Sequence, residues 1–373
     1  MITFEDVGKT YHDGRRAVDG ISMTVGAGEC VVLVGPSGCG KTTTLKLTNR
    51  LIEPTSGRVL VNGRDTRTTD AISLRRGIGY VIQDVGLLPH MTVIENVGLV
   101  PRLLGWPRAR VAERAHELLE TVGLPARIYA HRRPFELSGG QRQRIGVARA
   151  LAADPPVILM DEPFGALDPI TRAQLQEEFL RLRRRLRKTI LFVTHDIDEA
   201  VRLGDRVAVM RDGRIAQLAP PAELLRSPAD EFVRRFVGAD RAMKLLKLAA
   251  VRDLIDRRVG AAREDTTVED ARRMMSAAGA DTLIVTGTDG AFSGIVHAGD
   301  LEGRGGTVGA IPPRARPAIA ADQNLHDAMS RMLMEGVPWL PVVDGAQRFD
   351  GVITMTAFTR LMDAEPGGAA ASR

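Results

Sequence analysis

The segment that most constrains this chain is Gly35-Pro36-Ser37-Gly38-Cys39-Gly40-Lys41-Thr42, placed directly after the apolar run Val31-Val32-Leu33-Val34. Four consecutive β-branched or aliphatic residues read as a buried strand. The stretch from Thr43 to Leu51 holds neither Gly nor Pro and reads as a helix. A glycine loop between strand and helix lets successive backbone N–H groups converge on phosphate oxygens, and the positive helix end adds to the attraction. Gly35 to Thr43 are therefore the candidate nucleotide-binding set, with Lys41 as the cation for the β- and γ-phosphates and Thr42 as a hydroxyl ligand for Mg²⁺. Cys39 reads as a small loop residue without a redox role.

A second apolar run, Val157-Ile158-Leu159-Met160, ends in the carboxylates Asp161 and Glu162. Beside a phosphate loop, such a strand end offers one carboxylate for Mg²⁺ (Asp161) and one to take a proton from water (Glu162). By itself it would equally describe a strand end followed by a helix cap. A third segment, Leu137-Ser138-Gly139-Gly140-Gln141 followed by Arg142-Gln143-Arg144-Ile145-Gly146-Val147-Ala148-Arg149-Ala150, is a second Ser/Gly loop opening a helix, and so a second anion site.

Two phosphate-type loops in one chain need a reason, and Leu137–Arg144 supplies it: the segment resembles the signature motif of the ABC ATPases. That resemblance covers roughly residues 1–240 and implies a P-loop α/β domain, a mixed sheet core plus a helical subdomain. It also implies a head-to-tail homodimer in which Ser138, Gly139, Gly140 and Gln141 of one copy close on ATP held by the other. It assigns Tyr11 to stacking on adenine, Gln83 to the loop that contacts Mg²⁺ and the attacking water, Asp168 in Ala166-Leu167-Asp168 to the loop crossing the dimer interface, and His195 to sensing the γ-phosphate. ATP and Mg²⁺ are the implied cofactors, with Thr42, Gln83 and Asp161 around the metal and Glu162, His195 and Gln83 as catalytic residues.

The second half repeats itself at an offset of 57: Asp270-Ala271 matches Asp327-Ala328, Met275 matches Met332, Gly279 matches Gly336, Leu283 matches Leu340, Val285 matches Val342 and Gly294 matches Gly351. Each copy reads as an amphipathic helix, two strands and a short helix. The first helix is expected to start at a Thr266 cap with Glu269 three residues on. The strands are expected over Thr282–Thr286 and Phe292–His297 in copy one, and over Trp339–Val343 and Asp350–Met355 in copy two. This repeat resembles a tandem CBS module, an α+β pair that often binds adenine nucleotides. The ligand pattern of that family, Gly-apolar-apolar-Thr/Ser-x-x-Asp, is incomplete twice. Copy one keeps Asp300 without the Thr, and copy two keeps Thr354 without the Asp. Asp300 and Thr354 are the candidate ligand residues, beside the reading of a structural module with no ligand.

The expected domains are 1–240 for the ATPase, 241–258 for a connecting helix, 259–364 for the CBS pair (copies at about 259–303 and 311–362) and 365–373 for a disordered tail. No apolar run approaches the roughly 20 residues of a membrane span, and Met1-Ile2-Thr3-Phe4-Glu5-Asp6 lacks the features of a signal peptide. Two cysteines fit a reducing compartment. Residues 263–373 carry 10 Lys and Arg against 15 Asp and Glu, and the remainder 41 against 31. A basic first half suits nucleotide, anionic lipid or nucleic acid, or is a solvated surface. An ABC ATPase followed by CBS domains resembles the glycine betaine/carnitine/choline/L-proline importer family, which Ile78–Gln83, Gly86–Val93 and Phe236–Arg241 also resemble. That family implies ATP hydrolysis at the cytoplasmic face of the membrane, integral membrane permease partners, a separate substrate-binding protein, and osmotic or nucleotide control (an adenine nucleotide or cyclic di-AMP) through the CBS pair. It implies no nucleic-acid partner. An importer of another small solute, a non-transport ABC ATPase and a CBS-controlled nucleotide sensor are the alternatives.

Overall fold

A computed structural model describes residues 1–83, 85–165 and 167–363. The tail read as disordered, 365–373, lies outside these residues, as does Ala166 of the Ala166-Leu167-Asp168 segment. The chain forms two compact units, Met1–Gly238 and Ala239–Arg373.

The first unit is built on two sheets. Strands β1 (Ile2–Thr10), β2 (Arg16–Val25), β4 (Ser56–Val61) and β5 (Arg64–Asp65) form an antiparallel sheet in the order β2-β1-β4-β5. Strands β3 (Cys30–Val34), β6 (Ile78–Val81), β7 (Val157–Asp161), β8 (Thr189–Thr194), β9 (Arg206–Arg211) and β10 (Arg214–Ala219) form the other, ordered β10-β9-β3-β8-β7-β6. Every residue of β3, β7 and β8 is buried. Such continuous apolar runs belong to parallel strands covered on both faces, and β3, β6, β7, β8 and β9 do pair in parallel. The register aligns Val34 with Thr194 and Asp161 with Val193. The loops that begin at Gly35, Glu162 and His195 therefore leave the same carboxyl edge of the sheet, where open α/β sheets bind ligands.

Behind that edge, Phe164, Phe179 and Phe192 pack with ring centroids 6.0–6.1 Å apart. Such pairs are worth about 0.5–1.5 kcal/mol each beyond burial, and they seat the long helix Pro169–Leu186 on β8. The helix after the glycine loop spans Lys41–Thr48, shorter than Thr43–Leu51 at its end because Leu51 N–H already turns back to the Lys46 carbonyl.

In the second unit β11 (Ala261–Arg263), β12 (Thr282–Thr286) and β13 (Phe292–His297) form one three-stranded sheet, and β14 (Ile319–Ala320), β15 (Trp339–Val343) and β16 (Phe349–Thr354) form its counterpart. The repeat is structural: Val285 faces Gly294 as Val342 faces Gly351, and Gly279 and Gly336 end equivalent helices with φ of 60° and 62°. Strand β16 starts one residue earlier than expected, because Phe349 still pairs with Val343. The helix Val268–Ala278 is capped by Thr267, whose hydroxyl accepts from Asp270 N–H at 3.1 Å. Thr266, the expected cap, accepts from Arg263 N–H and belongs to the preceding turn.

The segment 241–258 is helical over Arg241–Leu248, and its Leu246 and Val251 are fully buried in the core of the second repeat with Leu325, Met332, Leu340 and Ile353. The backbone of Asp256 exchanges hydrogen bonds with Val352 of copy two, and that of Arg314 does the same with Ile295 of copy one. Each copy thus receives the segment that precedes the other.

Candidate nucleotide site

At the glycine loop, Gly40 sits at φ 105°, and a Cβ there would lie 2.3 Å from the Ala17 carbonyl oxygen, so no side chain fits. The Lys41 ammonium is buried and donates to the carbonyls of Gly35 at 2.7 Å and Pro36 at 2.9 Å. Pro36, Ser37 and Gly38 are exposed. Burial raises the Cys39 thiol, with Lys41 opposing the shift, so it stays protonated.

Thr42 and Asp161 meet one loop further along the edge, the Thr42 hydroxyl donating to Asp161 Oδ1 at 3.0 Å. Burial raises the Asp161 carboxyl above its usual range; the Thr42 bond opposes this and the charge of Glu162 adds to it. Among the described residues no three or more His, Cys, Asp or Glu cluster as a metal cage. One hydroxyl and one carboxylate suit a hard cation that completes its shell with phosphate and water, which is how Mg²⁺ binds.

Glu162 follows β7 with φ 44°, a left-handed conformation in a non-glycine residue. Such a backbone costs about 1–3 kcal/mol and persists where the surroundings impose it. Here its N–H is held by the Val193 carbonyl at 2.9 Å. Its Oε2 lies 3.1 Å from His195 Nδ1. In the tautomer with hydrogen on Nδ1 the ring donates to this carboxylate oxygen.

The other candidate residues stand apart from this cluster. Ser138 caps the helix Gly139–Leu151: its hydroxyl accepts from Gln141 N–H at 3.3 Å while Gln141 Oε1 accepts from Ser138 N–H at 2.9 Å. A Cβ on Gly140 would meet the Thr171 methyl at 2.8 Å, so this loop packs directly on the next helix. Gly139 and Ser138 are exposed. Asp168 caps Pro169–Leu186 by accepting from Ile170 and Thr171 N–H, and the Thr171 bonds lower its pKa. Gln83 is exposed in the turn after β6. The Tyr11 ring is flanked by Lys9 and Arg15, 5.5 and 5.4 Å from its centroid.

Two arginines hold these loops without having drawn notice in the sequence. Arg149, inside the signature-like helix, donates to the Gly86 carbonyl at 2.6 Å and the Val85 carbonyl at 2.7 Å, and burial lowers its pKa. Arg172 donates to the Leu167 carbonyl at 3.1 Å. Neither stands out in a chain rich in arginine, since an arginine paired with carbonyls and one in solvent look alike in sequence.

In the second unit Asp300 accepts two bonds from Arg314, at 2.7 and 3.0 Å, and one from His297 N–H at 2.9 Å. Arg314 is the chief cause that lowers its pKa to about 2. Thr354 bonds the Thr356 hydroxyl at 2.9 Å.

The family model for ABC transporters matches residues 18–165, and that for CBS domains matches 251–303 and 308–364. The osmoprotectant import ATP-binding protein OsmV of Salmonella typhimurium is 48% identical over 95% of this chain and 94% of its own length. The glycine betaine/carnitine/choline transport ATP-binding protein OpuCA of Bacillus subtilis is 44% identical over 97% of this chain and 96% of its own. Among solved structures, a dimeric ATP-binding cassette in a post-hydrolysis state with ADP and Pi is 36% identical with a TM-score of 0.53, covering 59% of this chain and 99% of that one.

Proposed function

Because the chain belongs to the family of CBS-bearing ATP-binding subunits of ABC importers, we propose that the carboxyl edge of its parallel sheet hydrolyses ATP with Mg²⁺ to drive import of a quaternary-ammonium osmoprotectant. The observation that supports the site most is the meeting, beside the glycine loop, of the Thr42–Asp161 pair and the Glu162–His195 pair.

The roles follow from chemistry. Backbone N–H groups of Gly35–Thr43 and the Lys41 ammonium neutralise the phosphate oxygens. The Lys41 donors now spent on loop carbonyls are the ones a triphosphate would recruit. Mg²⁺ held by Thr42 and Asp161, with Gln83 as a further ligand that the family resemblance implies, would neutralise charge on the β- and γ-oxygens. Glu162 accepts the proton as a water oxygen forms its bond to the γ-phosphorus; the bond from that phosphorus to the bridging oxygen breaks, and ADP leaves. His195 orients the Glu162 carboxylate. Tyr11 offers its face to adenine.

The loop covers only part of a triphosphate. Ser138–Gln141, which opens a helix with Ser138 and Gly139 exposed, would close the other side from a second copy, with Asp168 of each copy at the junction; the dimeric relative supports this arrangement. Mixing Lys41→Ala subunits with Ser138→Arg subunits leaves one intact composite site per heterodimer. ATP-dependent dimers in the mixture, absent from each parent, are the expected result. Normal ATP-dependent dimerisation of either parent alone would refute the shared site.

Among the described residues no helix is long and apolar enough to cross a membrane. The transport subunits that the chain resembles support its placement at the cytoplasmic face through permease subunits, supplied by a substrate-binding protein. The substrate class rests on what the relatives are named for. Co-purifying the permease and measuring ATP-driven uptake of glycine betaine, choline and carnitine into vesicles tests it; uptake of an unrelated solute alone would overturn it. The CBS pair is proposed to tune that transport. Adenine nucleotide at Asp300 and Thr354 would share a carboxylate already bonded to Arg314, and titrating the Lys41→Ala chain with AMP and cyclic di-AMP tests this second site apart from the first.

A further inference from the structure

A cavity of about 290 Å³ opens between the end of the helix Arg108–Thr121, the signature-bearing helix Gly139–Leu151 and the helix Pro169–Leu186. It belongs to none of the loops assigned to ATP. Its walls are apolar, made by Val122, Val147, Phe164, Phe179 and Leu182. Gln143 lines it as well, is 4% exposed, and its Nε2 donor has no hydrogen-bond partner among the described residues. A buried donor without an acceptor costs free energy that a suitable acceptor recovers. The charges at the cavity are unequal in their engagements. Arg144 is bonded to Glu178 at 2.7 Å and to the Val122 carbonyl at 3.0 Å, and Glu120 accepts from Ala126 N–H. Arg181 and Arg185, one helical turn apart and exposed, have no ion-pair partner among the described residues.

We propose that this cavity binds a small amphipathic anion, with an apolar body against the phenylalanines, an oxygen acceptor at Gln143 and a carboxylate or sulfonate at Arg181 and Arg185. The volume is at the lower end for a small-molecule site, and a few polar groups in a mostly apolar wall is the usual composition. The ligand would wedge between two helices whose N-terminal ends carry Ser138 and Asp168, so occupancy changes ATP turnover. Binding is independent of the ATPase reading; the effect on turnover rests on it.

The test uses the full chain and 8-anilinonaphthalene-1-sulfonate as probe, by fluorescence titration and calorimetry. One saturable site per chain is expected. Its Kd rises at least tenfold in the Arg181→Glu/Arg185→Glu variant, whose surface positions leave the fold intact, and binding is lost in Val147→Phe, which fills the cavity. The probe alters ATP turnover at least twofold in the wild type and not in Arg181→Glu/Arg185→Glu. Unchanged affinity in that double variant, displacement of the probe by ATP, or no saturable binding overturns the site. Binding that obeys the variants without any effect on turnover overturns the regulatory half and leaves the ATPase reading untouched.

Discussion

Glu162 combines a left-handed backbone, a buried neighbour carboxylate and a histidine partner, and each has a consequence. Glu162→Gln keeps the shape and removes the proposed proton acceptor. Turnover is expected to fall roughly 10²–10⁴-fold, while ATP affinity is retained and an ATP-bound dimer accumulates on size-exclusion chromatography. Near-normal phosphate release by the purified variant would remove Glu162 from the mechanism. Asp300 gives a test by pH. Its folded pKa is about 2, below the ordinary 3.8. The stability it contributes is therefore present above pH 4 and is lost as the pH falls through its folded value. The second unit should lose stability between about pH 4 and pH 2 more steeply in the wild type than in Asp300→Asn, as followed by thermal melts across that range. Equal slopes would mean that the Arg314 contact adds nothing.

At the scale of elements, the helix Gly139–Leu151 does two jobs. Its start is a capping box closed by Ser138 and Gln141, and its far end carries Arg149, which grips the carbonyls of Val85 and Gly86 just past Gln83. Val85, a β-branched residue, sits at φ 57°, so this turn is held in a costly conformation by a side chain from another element. Arg149→Ala leaves the partly buried Val85 carbonyl short of its donor, a loss of about 1–3 kcal/mol at most, and hands the exposed Gly86 carbonyl to water. Turnover should drop about tenfold with little change in ATP affinity, because the displaced segment presents Gln83 and not the phosphate loop. Arg149→Lys, with one point charge in place of a fork, should fall between the two. A parallel loss of ATP affinity in a stopped-flow binding assay would instead show that the helix itself had unfolded.

For the whole molecule, the two units divide at Gly238, and the helix Arg241–Leu248 belongs to the second. Ending the chain at Gly238 should leave ATP hydrolysis within about twofold of the full chain while abolishing any response to a CBS ligand or to salt. Beginning a fragment at 259 removes Leu246 and Val251 from the core of the second repeat, each fully buried and worth about 1.5–3 kcal/mol. Such a fragment should melt well below one that begins at 239. Equal melting temperatures for the two fragments would show that the helix is dispensable.

The segments that make up the proposed ATP site of the first unit were legible from sequence because each of them is local. A strand, a glycine loop and a helix start are contiguous residues, and Asp161 and Glu162 are neighbours at the end of an unbroken apolar run. The repeat was legible for the same reason, since equivalent positions recur at a constant spacing and the strands Thr282–Thr286, Phe292–His297 and Trp339–Val343 lie where alternation and turn residues place them. Parallel register alone decided that Glu162 meets His195 and Thr42 meets Asp161 across gaps of 33 and 119 residues. Tertiary structure likewise decided that Asp300 is tied to Arg314, that Arg149 is a clamp and that Leu246 and Val251 of the segment 241–258 enter the core. A charged side chain has the same sequence signature whether it faces water or a carbonyl, and an amphipathic helix does not record which repeat its apolar face will cover; only the folded neighbours make that choice.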